Sequence, residues 1–265
     1  MSQEFGNSTL IDISHYTGSN AFPGVDPASI KSVVPAALHT NNRSSDRNWP
    51  DWTTLYKQFF GNSDNLQGAG SVVFGGLASA SAAFMCGALA PASTEITVNH
   101  FDFFKKKHVP FKVTGFSRVP EENPGFGQMM SLKETTWVDN NHSQADAPES
   151  VVVFYGLQNN QLNHQQIPQQ IKDKYNITTV YNVSCNTREL TPDHVGAVTH
   201  EMLRYLQEFG PKQNKHLILA SSMPTPFHVA LGIHCNPNTF GKVRFLEFVG
   251  NAEYQDIGSF VNSYD

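Results

Sequence analysis

The chain has 265 residues, of which 39% are hydrophobic and 11% aromatic, with a formal net charge of −5. That length and apolar content fill one large domain or two intimately packed halves and exclude a disordered chain. The negative charge argues against a binder of duplex nucleic acid, which needs a basic face, but allows a small anion held by backbone amides and a few basic groups.

Met1 to Asn7 reads as a polar leader without signal-peptide or transit-peptide character. Thr9 to Ser14 reads as a first strand, ending in the loop His15-Tyr16-Thr17-Gly18. Asp26-Pro27 is a helix cap and first position, Ser32 to His39 is an ambiguous apolar run broken by Pro35, and Asn41 to Asn48 is a polar loop carrying Arg43 and Arg47. Trp52, Leu55, Tyr56 and Phe59 recur at helical spacing up to Gly61, an aromatic face that reads as core. Val72 to Leu77, Ala80 to Ala90 and Ile96 to Phe103 follow as strand, helix and strand. After the turn Lys105-Lys106-Lys107, Phe111 to Arg118 and Gly127 to Val138 alternate as strands of a hairpin. Asp139 to Ser150 is polar and contains proline, which makes it the linker between an N-terminal half, 1–140, and a C-terminal half, 141–265.

The second half opens on Val151 to Tyr155, a continuous apolar run of the kind found in parallel strands covered on both faces. Gln165 to Tyr175 reads as a polar helix and Thr178 to Ser184 as a strand. Thr191-Pro192-Asp193 starts a longer helix with Val195, Val198, Met202, Leu206 and Phe209 on one stripe. His216 to Ala220 is a strand, Ser221 to Pro224 a turn, Thr225-Pro226 a helix start, and Val243 to Val249 a further strand. The remaining tail carries Tyr254 and Tyr264. Alternating strands and helices in both halves give an α/β fold with mostly parallel sheets flanked by helices.

The segment Ser71–Phe104 aligns with His216–Val249 without a gap at an offset of 145 residues. Leu217 meets Val72, Thr225 meets Ala80, Gly232 meets Gly87, Val243 meets Val98 and Phe248 meets Phe103. A repeat this long implies two similar half-domains rather than a solenoid.

Cys86, Cys185 and Cys235 show no CxxC spacing and read as reduced, buried thiols of a cytoplasmic protein. The nearly uncharged stretch Ser71 to Ala90 is long enough for a membrane span, but its Gly, Ser and Ala content and its repeat partner's prolines favour strand, turn and helix, with no membrane partner. There is no nucleophile elbow, Walker loop or dinucleotide fingerprint, and neither His194/His200 nor His228/His234 has metal-ligand spacing. No catalytic residue, metal or cofactor is therefore assigned. What remains is the strand-end loops: Ser14-His15-Tyr16, Gly156 with Gln158, Ser79 with Ser81, and Ser222-Met223-Pro224-Thr225. They supply hydroxyls and helix-start amides for phosphates, with Tyr16 or Phe227 placed to stack on a base. Each Ser or Thr taken singly reads equally as a helix cap; the loops as a group read as ligand contacts.

The helix segment Thr199 to Leu206 (THEMLRYL), the run His216 to Ile233 (HLILASSMPTPFHVALGI), the strand Val243 to Phe248 with Glu247, and the later Tyr254 resemble the SAVED domain. That domain is a cyclic-oligonucleotide sensor of CBASS and type III CRISPR anti-phage systems. With the internal repeat the resemblance covers the whole chain, because SAVED domains look like two fused CARF-like, Rossmann-like halves. It implies a sensor that binds a cyclic tri- or tetranucleotide, commonly adenine-containing, and assembles head to tail to activate an effector. At 265 residues the chain looks like a stand-alone sensor whose effector is a separate protein. A ring nuclease that degrades the same ligand, or a scaffold that sequesters it, is the alternative reading.

Overall fold

The computed structural model describes residues 5–18, 20–39, 49–66, 70–91, 94–103, 105–113, 128–136, 149–158, 160–187, 189–210, 215–235, 243–250 and 253–260. Its elements run in the order β1 (Thr9–Asp12), β2 (Ile30–Ser32), α1 (Trp52–Gly61), α2 (Ser63–Leu66), β3 (Ser71–Gly75), α3 (Ala80–Leu89), β4 (Glu95–Asp102), β5 (Lys107–Lys112), β6 (Met130–Thr136), β7 (Ser150–Gly156), α4 (Gln169–Lys174), β8 (Ile177–Cys185), α5 (Val195–Phe209), β9 (His216–Ser221), α6 (Thr225–His234), β10 (Val243–Gly250) and β11 (Glu253–Phe260). The chain divides into two compact units. The first comprises Met1–Glu121, Leu190–Gly196 and Pro224–His234; the second comprises Glu122–Glu189, Ala197–Met223 and Cys235–Asp265.

The first unit is built on a five-stranded sheet of order β2-β1-β3-β4-β5, parallel except for β5, which runs antiparallel to β4. One face is covered by Leu10, Ala21, Phe22 and Val73 with Phe5, Val25 and Ile30. The aromatic stripe of α1 is core, as its spacing implies: Trp52 and Tyr56 are fully buried, and Phe60 meets Phe74 edge-on. Asp51 starts that helix by accepting from the Thr54 amide at 3.0 Å.

The second unit holds a six-stranded sheet of order β11-β10-β9-β7-β8-β6, parallel at its centre and antiparallel at both edges. Every residue of β7 is buried, the result expected of its unbroken apolar run. Val152 and Phe154 face a cluster containing Ile167 and Ile171, while Tyr155 donates from the opposite face to the Met202 carbonyl in α5. The stripe Val195, Val198, Met202, Leu206 and Phe209 is buried along its length.

Two features of strand pairing depart from the sequence reading. Of the expected hairpin arms Phe111 to Arg118 and Gly127 to Val138, Phe111 and Lys112 end β5 and Met130–Thr136 is β6; these pair in different sheets, β5 with β4 and β6 with β8, and residues 114–118 lie outside the described residues. Glu201 of α5 anchors β6 by accepting from the amides of Met129 and Met130 at 2.6 and 3.0 Å. The tail contains an edge strand, β11, held to β10 partly by the Arg244–Asp256 ion pair at 2.7 Å. β6 lies before residue 140 yet groups with the second unit, and Leu190–Gly196 and Pro224–His234 group with the first. Arg43, Arg47 and most of the Asp139 to Ser150 stretch lie outside the described residues.

The internal repeat is visible in the elements. Shifted by 145 residues, the bounds of α3 coincide with those of α6, and each helix links two parallel strands, β3 with β4 and β9 with β10. Both helices are apolar all round and buried. They cross where a Cβ added to Gly87 would lie 2.0 Å from the Val229 carbonyl oxygen, and one added to Gly232 would lie 2.0 Å from the Phe84 carbonyl oxygen. Phe84 and Val229 are themselves partners under the same offset, so the crossing is reciprocal. Because the obstacle is backbone, Gly87→Ala and Gly232→Ala are each expected to destabilise by about 1–3 kcal/mol in urea unfolding. The double variant should lose less than the sum, since the first substitution already separates the helices.

Candidate functional site

In the first sheet, β1 passes to β2 on one side and β3 lies on its other side, so the strand order reverses between β1 and β3. Ligands of open α/β sheets bind beyond the carboxyl ends of the strands near such a reversal. Here the chain after β1 continues along β3: the amides of His15 and Tyr16 donate to the Leu77 carbonyl at 2.9 and 3.4 Å. Asp12 Oδ1 accepts from the Ser14 amide at 2.8 Å, folding the turn back on itself. Gly76 sits beneath it at φ +105°, where a Cβ would lie 2.0 Å from Ser14 Oγ. Only glycine fits there.

Beside that glycine opens a cavity of about 460 Å³, within the range of roughly 300–1,000 Å³ typical of small-molecule sites. Gly76 and Leu77 form one wall, Gly18, Asn20 and Pro23 another, and β4, β5 and the turn between them contribute Asn99, Phe101, Phe103, Lys106, Lys107 and His108. The turn is shaped by Asp102, whose Oδ1 accepts from the Lys105 amide at 3.0 Å and whose carboxylate pairs with Lys105 Nζ at 3.7 Å. Lys106 adopts φ +50°, a left-handed conformation that lysine rarely takes. Phe101 meets Phe103 and His108 edge-on at 5.1 and 5.2 Å, and Phe103 is 64% exposed. The result is an aromatic surface beside the ammonium groups of Lys106 and Lys107, which have no carboxylate partner among the described residues. Aromatic faces take planar rings and uncompensated ammonium groups take phosphates.

The strand-end loops singled out by sequence come together in pairs. In the first unit Ser14, His15 and Ser81 are buried against their own neighbours. The His15 ring lies 4.8 Å from Trp52, 5.2 Å from Trp49 and 5.1 Å from Tyr16. Ser79 Oγ caps α3 by accepting from the Ala82 amide, and Ser81 Oγ accepts from Trp52 Nε1 at 3.1 Å. Pro224, Thr225 and Phe227 open α6; Thr225 is buried, and Phe227 packs edge-on against Phe111. In the second unit the chain after β7 meets the chain after β9. Ser222 Oγ accepts from Asn160 Nδ2 at 2.8 Å, the Ser222 amide donates to the Tyr155 carbonyl, and the Met223 amide donates to Ser221 Oγ. Gly156 lets the Asn160 carbonyl approach to within 2.4 Å of where a Cβ would stand, and Gln158 is exposed. None of these twelve residues lines the cavity. A signal for the cavity is present in the sequence all the same, as Phe101 and Phe103 alternating into the run Lys105-Lys106-Lys107-His108.

No family model matches the sequence, and no curated protein does. Solved structures do match in fold. The Acinetobacter baumannii Cap4 SAVED/CARF-domain containing receptor, solved with the cyclic trinucleotide 3′3′3′-cAAA, superposes with a TM-score of 0.62 at 12% identity over 95% of this chain and 52% of the receptor. The same receptor with 2′3′3′-cAAA gives 0.62 at 13% identity over 96% and 51%. The Moraxella osloensis Cap4 SAVED/CARF-domain containing receptor gives 0.56 at 14% identity over 96% and 50%. The chain therefore has the α/β fold of the SAVED/CARF-domain receptors, and it spans about half the length of the receptors it matches. Among the described residues, no helix is long and apolar enough to cross a membrane, and Ser71 to Ala90 is a strand, a turn and a ten-residue helix.

Burial holds the His100 side chain at a pKa of about 4, and it also pulls His108 below the usual histidine value against the hydrogen bond to the Asn99 backbone. At neutral pH the positive charge of the cavity thus comes from its lysines. Because the unfolded chain takes up a proton that the native His100 refuses, stability should be unaffected by this group above pH 6.5 and fall between pH 6.5 and 4. The slope expected is at most about 1.4 kcal/mol per pH unit, flattened by His100→Gln in urea unfolding measured across that window.

Proposed function

We propose that the protein is a sensor of a cyclic oligonucleotide second messenger of the tri- or tetraadenylate type, acting in anti-phage defence. The observation that carries this reading is the cavity at the strand ends, where an aromatic surface lies beside Lys106 and Lys107 on a fold shared with receptors solved with cyclic trinucleotides. In this reading one nucleotide unit enters the cavity. Phe101 and Phe103 contact its base, and the two lysines hold the phosphates through charge-assisted hydrogen bonds. The hydroxyls and helix-start amides at Ser14, Ser79 and Thr225 of the same unit serve the remainder of the ring once local side chains give way. Binding then favours head-to-tail self-association, because a second copy of the chain closes over the ligand, and the assembly activates an effector. The chemistry asked of the protein is recognition, so the ligand should be returned intact after long incubation; cleaved product on chromatography would instead support a ring nuclease. Tight binding without assembly would support sequestration.

Calorimetric titration of cyclic tri- and tetraadenylates, combined with light scattering, tests the proposal. Binding accompanied by a rise in mass is expected. Absence of binding to the entire panel, with no change in mass, would sink it. Lys106→Ala and Lys107→Ala should each weaken binding about 10- to 100-fold, the effect of losing one charge-assisted contact.

A further inference from the structure

Asn99 lies in β4 at the wall of the cavity and is 1% exposed. Its Nδ2 donates to the Ala21 carbonyl at 2.9 Å, which fixes the orientation of the amide, since a flip would set oxygen against oxygen. That orientation leaves Oδ1 buried with no hydrogen-bond donor. His108, another wall residue, leaves Nδ1 buried without a partner among the described residues. In the tautomer that carries its proton on Nε2, Nδ1 of the neutral imidazole is a second acceptor. Native folds satisfy nearly all buried acceptors, so two orphans on residues of one cavity wall mark the place of a donor that the described residues do not supply.

We propose that Asn99 reads the base of the bound nucleotide, with Oδ1 accepting a hydrogen bond from an exocyclic amino group. The 6-amino group of adenine and the 4-amino group of cytosine are donors of this kind; the carbonyl of uracil or hypoxanthine at the equivalent place is an acceptor and is rejected. The neutral His108 Nδ1 is available for the second amino hydrogen. Specificity built on an acceptor fixed by packing is strong, because the wrong base leaves that acceptor buried and unpaired. This inference rests on the reading of the cavity as a nucleotide site.

The test measures affinities of the full chain for cyclic triadenylate and for an analogue carrying purine riboside, which lacks the amino group. Cyclic triinosinate, cyclic tricytidylate and cyclic triuridylate complete the series. The wild type should bind the adenine and cytosine rings about 10- to 100-fold more tightly than the amino-free or carbonyl-bearing ones. Asn99→Leu should bind adenine and purine rings equally weakly while keeping its far-UV circular dichroism. If that variant does not fold, the ligand series on the wild type decides alone. Equal affinity of the wild type for the triadenylate and its amino-free analogue overturns base reading and leaves the cavity's role as a nucleotide site intact. Failure of every ring to bind overturns both.

Discussion

The crossing of α3 and α6 is the contact from which the functional end of the first unit takes its position. Two helices that approach until backbone meets backbone require glycine at the crossing, and Gly87 and Gly232 supply it from equivalent positions of the repeat. Neither helix has a polar face to point at solvent, so each is stable only when covered on all sides. Once α3 is placed, its Ser79 cap fixes the turn after β3, and that turn accepts the amides of His15 and Tyr16. The same turn carries Gly76 into the cavity wall.

Elements whose stabilisation is local or periodic are legible in the sequence. The apolar run of β7, the stripe of α5 and the matched segments of the repeat each announce their burial through composition and period. Edge strands do not. β11 carries Glu253, Gln255, Asp256 and a glycine at φ +109°, a sequence with tail composition, and it becomes a strand because Arg244 and Tyr175 hold Asp256. β5 and β6 alternate as the two arms of a hairpin would, yet pairing partners at sheet edges are chosen by tertiary contacts. Glu201, gripping two amides at the start of β6 from 71 residues away, is one that no local pattern encodes.

The candidate site is legible to a similar degree, and for a related reason. The strand-end loops meet in pairs at the ends of their sheets, while the cavity is lined by other residues. The hydroxyls within them are largely occupied: Ser79 caps a helix, Ser81 takes the Trp52 indole hydrogen, and Ser222 takes an asparagine amide. Short polar side chains at such places satisfy the backbone first. The groups left available are longer, Phe101, Phe103, Lys106 and Lys107, and in sequence they resemble a solvated turn.

The charge distribution makes the proposed binding of a small polyanion compatible with an acidic chain. Screening at physiological ionic strength limits electrostatic influence to about 8 Å, so a ligand inside the cavity responds to Lys106 and Lys107 rather than to the net charge of −5. A rigid duplex presents phosphates over a much longer surface and meets the acidic remainder of the protein as well. Burial at the cavity wall pulls the His108 pKa down, which favours a lone-pair acceptor where a protonated imidazole would be a donor. In the proposed site, attraction of phosphate and discrimination among bases fall to different side chains, lysines at the turn and the Asn99–His108 acceptors on the wall. Either function can change without disturbing the other.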